Sequence, residues 1–307
     1  MFDSTPTRRQ FLSSCSALGL AGALAPGRAL AQMQLPQRVI PATGEALPVI
    51  GLGSSKGVSE IAERGTGPLT EVLRTLVEYG GRLVDTWPRD PDNDAGFGSI
   101  INLPDLRNEL FVTSKIDRTG REQGIAQFEA TLQNYGRERL DLVQIFSLTD
   151  LDTHWPSLRD WKERGLARYI GVTVAEERLY EPLEDFLGRA QPDFIQVNYS
   201  ITERSAEERI LPLAADRGIA VLINRPFMNG SYFRRLEDVA LPDWTTDFDC
   251  SSWAQFSLKY ILANQALTCV LTETSNPVHM AENAMAAFGD VPDEAQRERM
   301  RRYIDSL

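Results

Sequence analysis

Hydrophobic positions along this chain fall into two patterns that alternate from Leu47 onward. Short apolar runs are followed by longer segments in which apolar residues recur every three or four positions. The first pattern is typical of buried strands and the second of amphipathic helices. The predicted strands, eight in all, are Pro48–Gly53, Arg82–Asp85, Leu110–Ser114, Leu140–Ser147, Arg168–Thr173, Phe194–Asn198, Ala220–Arg225 and Leu267–Thr272.

Helices are predicted between these strands, and several of them end at a glycine, which favours the left-handed conformation of a helix C-terminus. They are Leu69–Tyr79, Arg121–Tyr135, Pro156–Arg164, Ala206–Arg217 and Ser252–Ala263. Repeated βα units of this kind predict an α/β fold of the (β/α)8 TIM-barrel class. A doubly wound sheet is the alternative, but Gly51-Leu52-Gly53-Ser54-Ser55 lacks the third spaced glycine of its phosphate loop.

Three further segments complete the predicted barrel. Gln37–Ile40 and Ala46–Pro48 flank a turn-forming Ala42-Thr43-Gly44-Glu45, which predicts an N-terminal β-hairpin that closes the bottom of the barrel. The breaker-rich stretch Asp90–Gly98 and the longer stretch Met228–Asp249 are predicted as loops on the opposite face. Active sites of TIM barrels lie on that face, where the carboxyl ends of the strands meet.

The first 31 residues have the features of an export signal. Thr7-Arg8-Arg9-Gln10-Phe11-Leu12 carries paired arginines, the run from Ala17 to Pro26 is weakly apolar, and Ala29-Leu30-Ala31 fits a cleavage site. We therefore expect a twin-arginine signal peptide over residues 1–31, a mature domain over residues 32–307, export by the twin-arginine machinery and a periplasmic location in a bacterium. The apolar run is too short to span a bilayer, so stable membrane insertion of the mature protein is not expected.

Composition narrows the classes of partner and of site. The chain carries 32 basic and 43 acidic residues, a net charge of −11, which disfavours nucleic acid and anionic membrane surfaces. Cys250 precedes a predicted helix and Cys269 lies on the strand after it, a separation too large for a disulfide, so two free thiols are expected. With two histidines and no Cys or His cluster, no metal site is predicted.

The order and spacing of several motifs resemble the aldo-keto reductase family over essentially the whole mature chain. The motifs are Gly51-Leu52-Gly53, Asp85-Thr86, Thr113-Ser114-Lys115, Asp141-Leu142, Arg168 to Thr173, Gln196-Val197-Asn198-Tyr199-Ser200, Trp253 to Leu262, Thr268 to Leu271, and Thr274-Ser275-Asn276-Pro277 through Glu282-Asn283. The resemblance implies a TIM barrel and an NAD(P)-dependent oxidoreductase that acts on a small carbonyl compound.

The resemblance also implies where a nicotinamide cofactor would lie. Residues expected to face the nicotinamide amide are Thr173, Gln196 and Asn198, and those expected to hold the adenosine half are Thr274, Ser275, Glu282 and Asn283. The helix that starts near Pro277 would present free amides to a phosphate. His279 stands where many relatives have an arginine for the 2′-phosphate, and Glu273 would repel a pyrophosphate. NAD and NADP therefore both remain open.

Two of the family's four catalytic groups are present and two are replaced. Family chemistry needs an aspartate and a lysine that lower the pKa of a proton-donating tyrosine, and a histidine that orients the carbonyl. The matching aspartate and lysine are Asp85 and Lys115, whereas Asp90 stands at the tyrosine position and Phe146 at the histidine position. Phenylalanine has no donor, and a carboxylate beside Lys115 would be ionised and unable to give a proton.

Other residues near the barrel mouth have more than one interpretation. Asp90 could serve as a general acid only if burial raised its pKa. His154 is a second possible donor, although a place at the start of the helix that Pro156 opens is the favoured interpretation. Trp87 could form an apolar wall for a ligand or simply pack within its loop.

Two functions follow from these observations. The first is an aldo-keto reductase-like oxidoreductase whose activity is weak or lost because Asp90 and Phe146 replace the proton-donor residues. The alternative is a non-catalytic periplasmic ligand-binding protein, or pseudoenzyme, on the same barrel.

Overall fold

The chain folds into a closed barrel of eight parallel strands, seen in a computed structural model that describes residues 34–307. The barrel strands are β3 (Ile50–Gly53), β4 (Leu83–Asp85), β5 (Phe111–Ile116), β6 (Leu140–Phe146), β7 (Ala167–Thr173), β8 (Phe194–Asn198), β9 (Ala220–Asn224) and β10 (Cys269–Thr272). They follow one another in sequence order, and β10 pairs with β3 to close the ring. The predicted TIM barrel is confirmed, and the doubly wound sheet is excluded because both edges are paired.

Helices lie between the strands and around the barrel. The described α-helices are α1 (Ser55–Ser59), α2 (Ile61–Arg64), α3 (Gly67–Glu78), α4 (Pro91–Ile101), α5 (Arg121–Tyr135), α6 (Leu151–Glu163), α7 (Tyr180–Arg189), α8 (Ile210–Asp216), α9 (Ser231–Arg235), α10 (Trp253–Leu262), α11 (Pro277–Met285) and α12 (Glu294–Ser306). Short 3-10 turns cover Glu177–Leu179, Ser205–Glu207, Met228–Gly230 and Asp243–Phe248.

The segment after β4 was predicted as a loop, and this prediction is wrong. Asp90 caps the N-terminus of α4, and Pro91 occupies its first turn, where a missing amide proton costs nothing. Gly98 permits close helix packing here, because a Cβ atom on it would lie 2.2 Å from the carbonyl oxygen of Asn134 on α5. The glycines that suggested a loop therefore serve contact between helices.

Three other predicted boundaries also need correction. Helix α6 begins at Leu151, so Pro156 lies inside it rather than at its start. The helix predicted over Ala206–Arg217 is divided into a 3-10 turn and the shorter α8. The predicted loop Met228–Asp249 contains α9 and two 3-10 turns.

The bottom of the barrel is closed by the N-terminal hairpin, as predicted. Strands β1 (Gln37–Val39) and β2 (Ala46–Pro48) pair antiparallel. Ile40 and Leu47 are buried in the same inner cluster as Phe111, Tyr169 and Phe194 of the barrel strands. The hairpin thus completes the inner core by burying apolar surface that the strand ends would expose.

Several further findings concern residues 34–307 only, and the predicted signal segment and its cleavage site lie outside them. No helix in this range is long and apolar enough to cross a membrane, and no group of three or more acidic, cysteine or histidine side chains there could hold a metal ion. Cys250 and Cys269 are both buried free thiols, and burial raises the pKa of Cys250 to about 11.

Candidate active site

The mouth of the barrel contains a buried ion pair between Asp85, the last residue of β4, and Lys115 on β5. Lys115 Nζ lies 2.6 and 2.7 Å from the two carboxylate oxygens of Asp85 and donates to the carbonyl oxygen of Thr86 at 3.0 Å. Burial lowers the pKa of Lys115, and the Asp85 carboxylate acts in the opposite direction. Because β4 and β5 are adjacent parallel strands, their carboxyl ends place the two predicted catalytic side chains together.

A chain of hydrogen bonds extends from Asp85 across the inside of the barrel. Thr113 donates to Asp85, Gln196 Nε2 donates to it at 3.1 Å, and Gln144 Nε2 donates to Gln196 Oε1 at 2.9 Å. Gln196, expected to face a nicotinamide amide, is therefore turned toward the ion pair. Gln144 was missed by the sequence reasoning, although its position two residues before Phe146 on the same strand indicates the same inward face.

An aromatic platform lies beside the ion pair. The rings of Trp87 and Phe146 are stacked with centroids 5.2 Å apart and an interplanar angle of 30°. Lys115 Nζ lies 6.0 Å from the centroid of Trp87. Phe146 thus presents an apolar ring beside the ion pair, and Trp87 packs against that ring.

Asp90 is exposed and does not reach Lys115, contrary to expectation. Its carboxylate accepts from the backbone amide of Asn93 at 3.1 Å and from the Asn93 side chain at 2.5 Å. These bonds lower the pKa of Asp90. The burial that a general acid at this position would require is therefore missing, and Asp90 acts as a helix cap.

Asp94 is a second carboxylate in this region that sequence reasoning did not single out. It is buried, and both of its oxygens accept from the backbone amide of Arg89, at 3.0 and 3.1 Å. Burial raises the pKa of Asp94 to about 6. Asp94 thereby fixes the backbone that carries Arg89 and Trp87. The sequence reasoning placed Asp94 only within the predicted loop Asp90–Gly98.

Thr173 and Asn198 lie at the carboxyl ends of β7 and β8, where a nicotinamide amide was expected. Asn198 Nδ2 donates to the carbonyl oxygen of Ala175 at 2.9 Å and to Glu203 at 3.0 Å. Its Oδ1 is buried without a hydrogen-bond partner in the described residues. An unsatisfied amide oxygen at this position fits a ligand with an N–H donor, such as a carboxamide.

The residues expected to hold adenosine lie around the start of α11. The Asn276 side chain caps this helix by accepting from the amide of Val278 at 2.9 Å, and Thr274 Oγ1 accepts from the amide of Asn276 at 3.1 Å. Ser275 is exposed, Glu282 is half-buried and Asn283 is buried. Side chains therefore already occupy two of the backbone amides at the start of this helix.

His154, a possible proton donor, and Glu273, expected to repel a pyrophosphate, both have structural roles. His154 is fully buried, and its Nε2 lies 2.6 Å from the carbonyl oxygen of Arg118. The interpretation of His154 as the start of a helix opened by Pro156 is wrong, because both residues lie inside α6. Glu273 accepts from the backbone amide of Lys56 at 3.1 Å, so it joins the loops after β10 and β3.

Comparison with known proteins agrees with this fold. The chain is 26% identical over 293 residues to an aldo-keto reductase of Bombyx mori, covering 85% of this chain and 92% of the relative. It is 28% identical over 201 residues to the glyoxal reductase of Bacillus subtilis, covering 61% and 66%. An aldo-keto reductase from Klebsiella pneumoniae, solved with NADP and acetate, superposes with a TM-score of 0.71 at 19% identity, covering 85% of this chain and 92% of that one.

The family model gives the most direct assignment. The model described as the aldo/keto reductase family matches residues 68–301. This range extends from α3 into α12, and it includes Asp85, Lys115 and the strand ends that form the barrel mouth. The chain therefore belongs to the aldo/keto reductase family.

Proposed function

We propose that this protein is an NAD(P)-binding oxidoreductase of carbonyl compounds in which the proton-donor arrangement is replaced and carbonyl reduction is weak or absent. The observation that carries the proposal is the buried Asp85–Lys115 pair beside the stacked rings of Trp87 and Phe146. The pair retains the groups that would tune a proton donor. The ring of Phe146 occupies the place from which a donor would act.

Cofactor binding is supported by the orphan Oδ1 of Asn198 and by the polar residues around α11. Thr173 and Asn198 would hold the nicotinamide carboxamide, while Thr274, Ser275, Glu282 and Asn283 would hold the adenosine half. A bound reduced nicotinamide supplies the hydride for carbonyl reduction. Gln196 would turn away from Asp85 to take part in this binding. NADP is the cofactor named for the Klebsiella pneumoniae relative, and for this chain NAD and NADP are both within the proposal.

Proton transfer is the step that this chain's residues do not support. Asp90 is ionised and directed at Asn93, and the contacts of Lys115 are with Asp85 and the Thr86 carbonyl oxygen. The ammonium charge of Lys115 would stabilise an alkoxide that forms beside it. Neither Asp90 nor Phe146 would give that alkoxide a proton. Loss of a positioned general acid reduces rates by about 10²–10⁴-fold.

The decisive experiment has two steps. Quenching of intrinsic fluorescence by NADPH and NADH measures cofactor binding, and absence of binding by both would refute the oxidoreductase proposal. The double variant Asp90→Tyr/Phe146→His is then assayed for reduction of a small aldehyde. We expect a gain of at least tenfold, with Phe146→Leu as a control that removes the ring without adding a donor. Ready turnover by the unaltered protein would show that the replacements do not disable it.

The alternative is a non-catalytic ligand-binding protein, favoured by the capping role of Asp90 and the stacking of Phe146 on Trp87. Asp90 and Phe146 each make a structural contact of this kind, as expected if the barrel mouth binds a ligand without catalysing a reaction. A ligand that protects the protein against thermal unfolding without NAD(P)H binding would support this function over the first.

We also propose that the protein is exported to the periplasm by the twin-arginine machinery, on the basis of Arg8, Arg9 and the apolar run that follows. Substitution of both arginines by lysine should retain the protein in the cytoplasm in cell fractionation. Unchanged export of that variant would refute this route.

A further inference from the structure

Arg89 is a half-buried cation whose side chain has no polar partner among the residues that the structure describes. It lies between β4 and α4, with its guanidinium carbon 3.8 Å from the centroid of the Trp87 ring. Its Nε is buried and makes no hydrogen bond, and no carboxylate oxygen of residues 34–307 lies within 4.0 Å of its guanidinium nitrogens. A guanidinium carries five donors, and leaving them unpaired in a partly buried place is unfavourable.

Other half-buried arginines of this protein show what a structural role looks like. Arg168 pairs with Asp141 at 2.7 Å and with Glu45. Arg38 donates to three backbone carbonyl oxygens at 2.6–2.8 Å. Arg89 has neither kind of partner, so its packing on Trp87 leaves the fork of donors available to a ligand.

The two carboxylates whose charges act most strongly on Arg89 belong to Glu273 and Asp94, and both accept hydrogen bonds from backbone amides. Asp94 directs both oxygens at the Arg89 amide, and Glu273 accepts from the Lys56 amide. Lys115, by contrast, is neutralised by Asp85. Among residues 34–307, Arg89 is therefore a cation without an ion-pair partner beside the aromatic platform of Trp87 and Phe146.

From this juxtaposition we infer that the mouth binds a small oxoacid, a carbonyl compound that also carries a carboxylate. The carboxylate lies on the Arg89 guanidinium, the apolar body lies against Trp87 and Phe146, and the carbonyl group is directed toward Lys115. The carbonyl part of this inference rests on the proposed function, whereas carboxylate binding by Arg89 does not. Arginine matches a carboxylate because its two parallel N–H groups can bind both oxygens.

An isosteric pair of probes tests the charge requirement. 4-Formylbenzoate and 4-formylbenzamide share a ring and an aldehyde and differ in the carboxylate, and their binding is measured by calorimetry with and without NADPH. We expect the wild-type protein to bind the acid at least about tenfold more tightly than the amide, the effect of one charge-assisted contact. Arg89→Gln should abolish that preference, and Arg89→Lys should retain part of it. Arg302→Gln, at a side chain 79% exposed on α12, is the matched control and should change nothing.

The outcomes distinguish a substrate carboxylate from a cofactor phosphate as the group bound by Arg89. They also distinguish failure of this inference from failure of the oxidoreductase proposal. Equal binding of acid and amide by the wild-type protein, or unchanged acid binding by Arg89→Gln, would overturn the inference. If Arg89→Gln weakens NADPH binding but not acid binding, the oxoanion belongs to a cofactor phosphate, which also overturns it. Carboxylate binding without turnover or NADPH binding would support the role of Arg89 while the oxidoreductase proposal fails.

Discussion

Replacing Asp85 by asparagine leaves the Lys115 ammonium buried without its carboxylate. The side chains of Lys115 and Asp85 are 2% and 6% exposed, and Lys115 Nζ contacts both carboxylate oxygens. Removing one partner from a buried ion pair costs about 3–5 kcal/mol, because the remaining charge is desolvated and unpaired. We expect Asp85→Asn to lower the free energy of unfolding by about 3–5 kcal/mol.

Urea denaturation followed by circular dichroism measures this change. Asp90→Asn is the matched control, since it makes the same chemical change at an exposed position and asparagine caps helices as well as aspartate. The double variant Asp85→Asn/Lys115→Met should be more stable than Asp85→Asn alone, because it leaves no buried charge. A loss below about 1 kcal/mol for Asp85→Asn would refute the argument that the pair is desolvated.

The pH dependence of Asp85→Asn provides an independent check of the same argument. Burial already lowers the pKa of Lys115 in the folded protein, and removal of the opposing carboxylate lowers it further. Between that folded pKa and the unfolded value of about 10.4, the unfolded chain binds more protons. The stability of Asp85→Asn should therefore rise with pH in this window relative to that of the wild-type protein. A stability difference that does not change with pH would contradict the assignment of the penalty to a charged lysine.

Three further changes test neighbouring features. Asp90→Ala should lower the urea midpoint and Asp90→Asn should leave it unchanged, because the side chain caps α4. Asp94→Asn should flatten the pH dependence of stability between about pH 4 and pH 6, because a carboxyl whose folded pKa is raised to about 6 loses stability as pH rises through that window. Gln144→Leu should release Gln196 from one hydrogen bond of about 1 kcal/mol and tighten NADPH binding about fivefold in fluorescence titration. An equal or weaker NADPH affinity for Gln144→Leu would show that Gln196 is not restrained.

The barrel could be predicted from the sequence because its determinants are local and periodic. Each strand is a short apolar run, and each strand end is fixed by where that run stops, which placed Asp85, Lys115, Thr173 and Asn198 on one face without further information. Helix α4 could not be predicted in the same way. Its glycines resemble a loop until the close approach of α5 is known, and that approach is a tertiary contact.

Side-chain direction was the second property that sequence could not supply. The resemblance predicts that Asp90 stands at the family's tyrosine position, but its carboxylate accepts hydrogen bonds from Asn93 and does not contact the ion pair. Gln196 was expected to face a nicotinamide amide, but Gln144 donates a hydrogen bond to it inside the barrel. Position in a motif determines which residues meet at the mouth. The competing hydrogen bonds determine what each residue does there.

Asp90 and Phe146 are connected through the segment 87–94. Asp90 starts α4, Asp94 of that helix binds the backbone of Arg89, and Trp87 two residues earlier stacks on Phe146. A tyrosine at position 90 therefore gives up the helix cap, and a histidine at position 146 must pack against an indole. Recovered reduction by the double variant would show that the segment tolerates both changes. If the double variant fails while remaining folded, the addition of Trp87→Ala tests whether the indole blocks the donor geometry.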